Sequence, residues 1–182
     1  MNTLNGEIRE LTLDHWRAAV EINLMGVIHG VAAAYPAMLR QGAGHIVNVA
    51  SLAGLVPAPG FGPYAATKAA VVSLTSVLRA EGESFGVRTS VVCPGFVKTA
   101  IFEHAIGVKV DKEELIGKIG MPFMPADDAA RSILRGEERN QGVIVFPSNA
   151  RVVWRLMGFS PWLAPPFQRL IRRRLRSIRR SP

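Results

Sequence analysis

A chain of 182 residues with 48% hydrophobic residues suits one ordinary folded domain and is too apolar for a disordered segment. Its formal charge of +8 is unevenly spread: residues 168–182 hold seven arginines and no acids, and the rest carries 15 basic against 14 acidic residues. A body so near neutral argues against nucleic-acid binding by the whole protein. The polar start MNTLNGEIRELTL lacks the apolar core of a secretory leader, and no uninterrupted apolar run reaches a membrane span. The lone Cys93 forms no internal disulfide, so a reducing cytoplasm is the expected compartment.

Thr12 and Asp14 mark a helix start. Trp16, Val20, Leu24, Val27, Val31 and Tyr35 then recur at helical spacing, and the helix runs to about residue 40, before Gly42 and Gly44. Residues 45–50, HIVNVA, read as a short buried strand. The loop LAGLVPAPGFG follows, and Pro63 suits the first turn of a helix over 64–82 that is rich in small residues. Gly86 breaks that helix. RTSVVC, residues 88–93, reads as a second buried strand, closed by Pro94 and Gly95. Residues 96–124 are irregular and partly apolar, as a functional loop or lid would be. Residues 126–138 read as helix, and VIVF at 143–146 as a third strand. Strands alternating with helices predict an α/β fold with a parallel sheet. Three strands leave a hydrophobic edge, so the fold wants more strands than this sequence contains.

The chemistry-bearing residues lie at the strand ends and helix starts. Tyr64 and Lys68 are four apart on one helix and share a face. An ammonium beside a phenol favours the phenolate. Bringing a tyrosine from about pH 10 to about 7 takes some three pKa units, about 4 kcal/mol, more than one lysine ordinarily supplies. A second positive charge would help, and such a phenol exchanges protons with an alcohol or a developing alkoxide. Taken alone, the pair reads first as an ordinary surface Tyr and Lys at a helix start. Ser51 follows the first of these strands at its C-terminal end, the side where parallel sheets form their sites. It can hold a substrate oxygen, or simply bond its own turn. Asn23, in VEINLMGV, is a mediocre helix former that either finds buried partners or stays solvated.

Together, VEINLMG, GHIVNVASLAG, YAATK and VVCPGFVKT resemble, in order and spacing, the short-chain dehydrogenase/reductase family over about residues 1–147. The resemblance implies the C-terminal part of a doubly wound, Rossmann-like parallel sheet, with about three strands. It implies hydride transfer between NAD or NADP and an alcohol or carbonyl compound. Tyr64 would be the general acid/base. Lys68 would lower its pKa and bind the nicotinamide ribose, Ser51 would orient the substrate carbonyl, and Asn23 would hold a water behind Lys68. Pro94, Gly95, Val97 and Thr99 would lie beside the nicotinamide, with the Val97 backbone at its carboxamide. Residues 96–124 would be the substrate lid, their apolar content fitting an apolar substrate. The helices over 13–40 and 63–82 would pair subunits into a homo-oligomer.

The sequence departs from the family in one large respect. The family's opening strand, glycine-rich turn and phosphate-binding helix are not in it. Gly60-Phe61-Gly62-Pro63-Tyr64-Ala65 formally fits G-x-G-x-x-A, but it does not directly follow a strand and overlaps the tyrosine motif; it is a coincidence. The expectation is a truncated domain over 1–150, binding cofactor weakly by itself, followed by an aromatic and arginine-rich tail over 151–182. A non-catalytic dimerisation module descended from such an enzyme is the alternative. In the tail, Phe167, Leu170, Ile171, Leu175 and Ile178 can form one helix stripe, accompanied by Trp154, Phe159 and Trp162. That helix can dock on its own domain or a sister subunit, lie in a membrane surface through residues 152–180, or meet nucleic acid.

Overall fold

The computed structural model describes residues 4–100, 106–107 and 123–177. The short β1 (Leu4–Asn5) leads into a long helical rod. Thr12 caps it, its N–H donating to Nδ1 of His15 at 3.1 Å as one arm of a capping box. The rod comprises α1 (Leu13–Val20), a π-helical turn (Glu21–Met25) and α2 (Gly26–Gln41). Gly42, at φ +67°, ends it in the left-handed conformation that glycine adopts without strain.

After the rod come β2 (Gly44–Val49), α3 (Gly62–Gly82), β3 (Val87–Pro94), the two-residue β4 (Ile106–Gly107), α4 (Ala126–Glu138) and β5 (Val143–Phe146). The chain finishes with α5 (Ser148–Phe159) and α6 (Ala164–Arg176). β2, β3 and β5 form one parallel sheet in the order β2-β3-β5, with Val91 of β3 in register with Asn48 and Val143. Each crossover between these strands contains a helix, as parallel pairing requires.

Central β3 is buried on both faces. Val91 and Cys93 join Ala50, Val71, Val145 and Ala150 in one core, with Leu24, Val27 and Trp154 packed against it. Val92 joins Ala129, Ile144 and Phe146 in the other. α2, α3 and α5 therefore supply one covering layer and α4 the other, as a parallel sheet needs. Gly86, at φ +71°, lets the turn into β3 pass the backbone of Gly42: a Cβ there would lie 2.3 Å from the Gly42 carbonyl oxygen.

The three strands and the helices over 126–138 and 64–82 lie within two residues of their expected bounds. Several features differ. β1 pairs in parallel with β4, inside the stretch expected to be irregular. The remainder of the expected lid over 101–105 and 108–122 lies outside the described residues. Helix α5 was not foreseen; it starts at Ser148, before the boundary expected at 150, and puts Ala150 into the core. Finally, among the described residues one segment is long and apolar enough to cross a membrane by length and composition, the 29-residue rod Leu13–Gln41. Scattered polar residues broke it up as an apolar run, yet as a continuous helix it passes that test. Almost none of its most apolar stretch is buried.

Candidate active site

β2 delivers the chain to Ser51, and a single 3-10 turn (Leu52–Gly54) carries it onto α3. The turn sits directly against the backbone of α3: a Cβ on Gly54 would come within 2.7 Å of the Lys68 carbonyl. Ser51 Oγ accepts from Ala53 N–H at 3.2 Å, which fixes the hydroxyl, while Gly54 N–H bonds the Ser51 carbonyl at 3.0 Å. Ser51 thus bonds its own turn and also meets the Tyr64 side chain in a hydrogen bond.

Pro63 occupies the first turn of α3, where its missing N–H costs nothing. Tyr64 and Lys68 follow on the face turned toward the sheet, 7% and 0% exposed. Lys68 Nζ donates to the Val49 carbonyl at 2.9 Å, at the very end of β2, and stands 5.9 Å from the centre of the Tyr64 ring. Burial dominates the titration of both groups. It pushes the Tyr64 phenol above its ordinary value, with the Ser51 hydrogen bond opposing. It lowers Lys68 to about 8, with Cys93 opposing. In the chain by itself the net direction for the phenol is therefore upward. The cost of taking the phenolate out of water outweighs what its surroundings return.

Cys93, the last fully buried residue of β3, touches the same constellation. Burial pushes its thiol up to about 12, against opposing effects of the Ser51 backbone and the Lys68 charge. Pro94 and Gly95 follow at once. Gly95 N–H bonds the Phe146 carbonyl at 2.7 Å, and Val97 forms a parallel bridge with Met124. Thr99 is exposed. The strand ends of β2 and β3 thus bring Ser51, Tyr64 and Lys68 together, with Pro94 and Gly95 immediately beyond Cys93.

Asn23 lies on the π turn and is 2% exposed. Insertions of this kind in a helix recur at functional sites because they re-aim a side chain. Asn23, Val27, Asn48, Val49 and Lys68 line one groove of about 370 Å³ between the rod and β2. Asn48 is held there by its Nδ2 donating to Thr75 Oγ1 at 3.0 Å. Sequence reasoning missed Val49, because it contributes a backbone carbonyl that no side-chain pattern reveals. It also missed Gly54, although a glycine soon after a strand can signal a close backbone approach.

The family model described as short chain dehydrogenase matches residues 3–106. An uncharacterized oxidoreductase of Staphylococcus saprophyticus is 40% identical over 106 residues, covering 56% of this chain and 43% of its own length. A cyclohexanol dehydrogenase of an Acinetobacter species is 33% identical over 129 residues, covering 66% of this chain and 51% of its own. The chain spans about half the length of these curated relatives. Among solved structures, a short chain dehydrogenase/reductase of Burkholderia phymatum in complex with NAD superposes with a TM-score of 0.76 at 29% identity, over 89% of this chain and 66% of that one. A short-chain dehydrogenase of Sphingobium yanoikuyae in complex with NADPH gives 0.71 at 25% identity, over 86% of this chain and 58% of that one. The matched segment holds the rod, the two strand ends and the whole constellation around Tyr64 and Lys68, and the chain belongs to the short chain dehydrogenase family.

Proposed function

We propose that this chain carries the proton-transfer half of a nicotinamide-dependent oxidoreductase acting on an alcohol or carbonyl compound. The observation that carries the reading is the buried Tyr64–Lys68 pair, braced by Ser51 and by the Val49 carbonyl at the C-terminal end of β2. Burial lowers the Lys68 ammonium to about 8, and groups perturbed in this way cluster at functional sites. The relatives whose names state an activity are oxidoreductases, and two neighbouring structures hold NAD and NADPH.

In carbonyl reduction, the neutral Tyr64 hydroxyl donates its proton to the oxygen as negative charge develops there. Its raised pKa keeps that proton in place until the oxygen becomes basic enough to take it. Ser51, held by Ala53 N–H, shares that oxygen and orients it toward the phenol. Lys68 stays largely protonated at neutral pH and supplies positive charge below the phenol. Asn23 holds a water that resupplies protons along the groove it shares with Lys68.

The nicotinamide end of a cofactor fits the residues present. An ammonium has three donors and the Val49 carbonyl takes one, so Lys68 has hydrogen-bonding capacity for a ribose. Pro94, Gly95, Val97 and Thr99 would flank the nicotinamide. A bound cofactor, NAD or NADP, supplies the hydride, and in oxidised form a positive charge that favours the phenolate during alcohol oxidation. The glycine-rich turn that would hold its pyrophosphate is not in this sequence.

A non-catalytic dimerisation module is the second reading. It draws on Gly26 and Gly30, which meet nothing within 4 Å of a built Cβ and leave one helix face open. Tyr64→Phe separates the two. NADH and NADPH are titrated against the purified chain by nicotinamide fluorescence, and ketone reduction is then assayed with and without the substitution. Saturable binding with turnover that falls about 100-fold or more in Tyr64→Phe supports the enzyme. Dimerisation without cofactor binding, unchanged by the substitution, overturns it.

A further inference from the structure

The C-terminal helices carry a surface that the oxidoreductase reading does not use. On α5, Ala150 is 3% exposed and Trp154 packs against the core, so that side of the helix is fixed on the domain. Val152, Leu156 and Phe159 lie on another side at i, i+4 and i+7, and are 55%, 50% and 89% exposed. Trp162, in the turn that follows, is 86% exposed, and Leu163 beside it is 41% exposed. An apolar stripe led by a Phe and a Trp is what a soluble surface ordinarily avoids.

Its charge is as one-sided as its hydrophobicity. Residues 148–177 contain seven arginines and no acidic residue. Arg169, Arg172, Arg173, Arg174 and Arg176 crowd onto α6, and all five are exposed. Arg176 among them reaches back to Glu7 at 3.3 Å.

We propose that the stripe Val152–Leu156–Phe159–Trp162, flanked by the arginines of α6, docks this protein on an anionic phospholipid surface. Aliphatic and aromatic side chains enter the boundary between headgroups and acyl chains, where indole is at home. The arginines meet lipid phosphates and carboxylates with bidentate hydrogen bonds. A second copy is a poorer occupant, because a symmetric contact would set arginine against arginine. Nucleic acid would use the arginines and leave Val152, Leu156 and Leu163 idle. The placement also bears on the site. Arg176 bonds Glu7, and the adjoining Gly6 bonds Gly60 and bridges Phe61, just before the helix that carries Tyr64. A docked α6 therefore lies near the N-terminal end of α3. The proposal concerns binding alone and stands apart from the oxidoreductase reading.

The test is co-sedimentation of the full chain with vesicles of phosphatidylcholine alone or mixed with phosphatidylserine, at low and high salt. Two double variants are compared, Phe159→Ser with Trp162→Ser and Arg172→Gln with Arg173→Gln. All four side chains are exposed, so circular dichroism should match the parent. The expected result is salt-sensitive binding to the anionic vesicles, weakened about tenfold or more by either pair. No sedimentation overturns the proposal, and so does equal binding to neutral and anionic vesicles. Binding that survives both double variants also overturns it and would direct attention to the apolar rod Leu13–Gln41. Self-association through the stripe with no vesicle binding would assign the surface to a second copy instead.

Discussion

Tyr64 and Lys68 show how burial sets the direction of a pKa before any neighbour acts. A phenol 7% exposed resists ionisation, and an amine 0% exposed resists protonation. Lys68 makes the cost measurable. Its pKa of about 8 lies below the ordinary 10.5, so the unfolded chain binds the proton more readily over that interval. Stability therefore rises as pH climbs from about 8 to 10.5, and the full cost, about 3 kcal/mol, is present below pH 8. Lys68→Met removes that cost and one hydrogen bond to Val49 worth about 1 kcal/mol. Urea denaturation at neutral pH should find the variant more stable by about 2 kcal/mol. A less stable variant would mean that the ammonium is better solvated than its burial indicates. The spacing of Tyr64 and Lys68 was legible in the sequence. The sign of the phenol's shift was not, because desolvation depends on residues distant in sequence that close over the ring.

At the scale of elements, the strands and helices with clean punctuation were the most legible. Pro63, Gly86 and Pro147 mark boundaries because each restricts or frees one dihedral locally. β1 and β4 escaped, since two residues show no periodicity and their pairing spans about a hundred positions. α5 escaped because its arginines and exposed apolar residues obscured the helical stripe that Ala150 and Trp154 set on the core. One joint between elements deserves a pH measurement. His45 of β2 bonds Ser90 Oγ of β3 at 2.8 Å through Nε2 and lies 3.3 Å from Glu137 of α4 through Nδ1. Burial, helped by the Arg88 charge, lowers the His45 pKa, and Glu137 only partly offsets this. The unfolded chain then takes up the proton first as pH falls below about 6.5. The stabilisation from neutral His45 is complete above that value and drains away below it. Thermal melts across mildly acidic pH should show this decline, and His45→Gln should flatten it. An equally steep decline in the variant would place the titration elsewhere.

At the scale of the whole molecule, one edge of the sheet decides how the chain meets its surroundings. β2 is an edge strand, and Val49 at its end is 42% exposed. Val20 and Ile22 on the neighbouring rod are 38% and 45% exposed, and Val77 on α3 is 50% exposed. Apolar helix faces of this kind are the surfaces on which the proposed homo-oligomer would form. Gly30→Glu tests it with little risk to the fold, because nothing lies within 4 Å of a Cβ at that position and a helix prefers Glu to Gly by several tenths of a kcal/mol. Sedimentation velocity should show the parent self-associating and the variant shifted toward monomer, with an unaltered melting temperature of the dilute species. Identical sedimentation of the two would remove α2 from the interface.

The sequence by itself determined the α/β class, the three parallel strands, the order of the motifs and the family they resemble. These rest on local periodicity, turn residues and short spacings, all of which act within a few positions along the chain. Tertiary structure alone decided that Val49 anchors Lys68, that Gly54 seats the Ser51 turn on α3, and that buried Cys93 meets the Ser51 backbone and the Lys68 charge. It alone decided that burial raises the phenol and lowers the amine. Contact and desolvation are set by what packs against a group in space, and a linear pattern carries that information only once the sheet has brought its strand ends together.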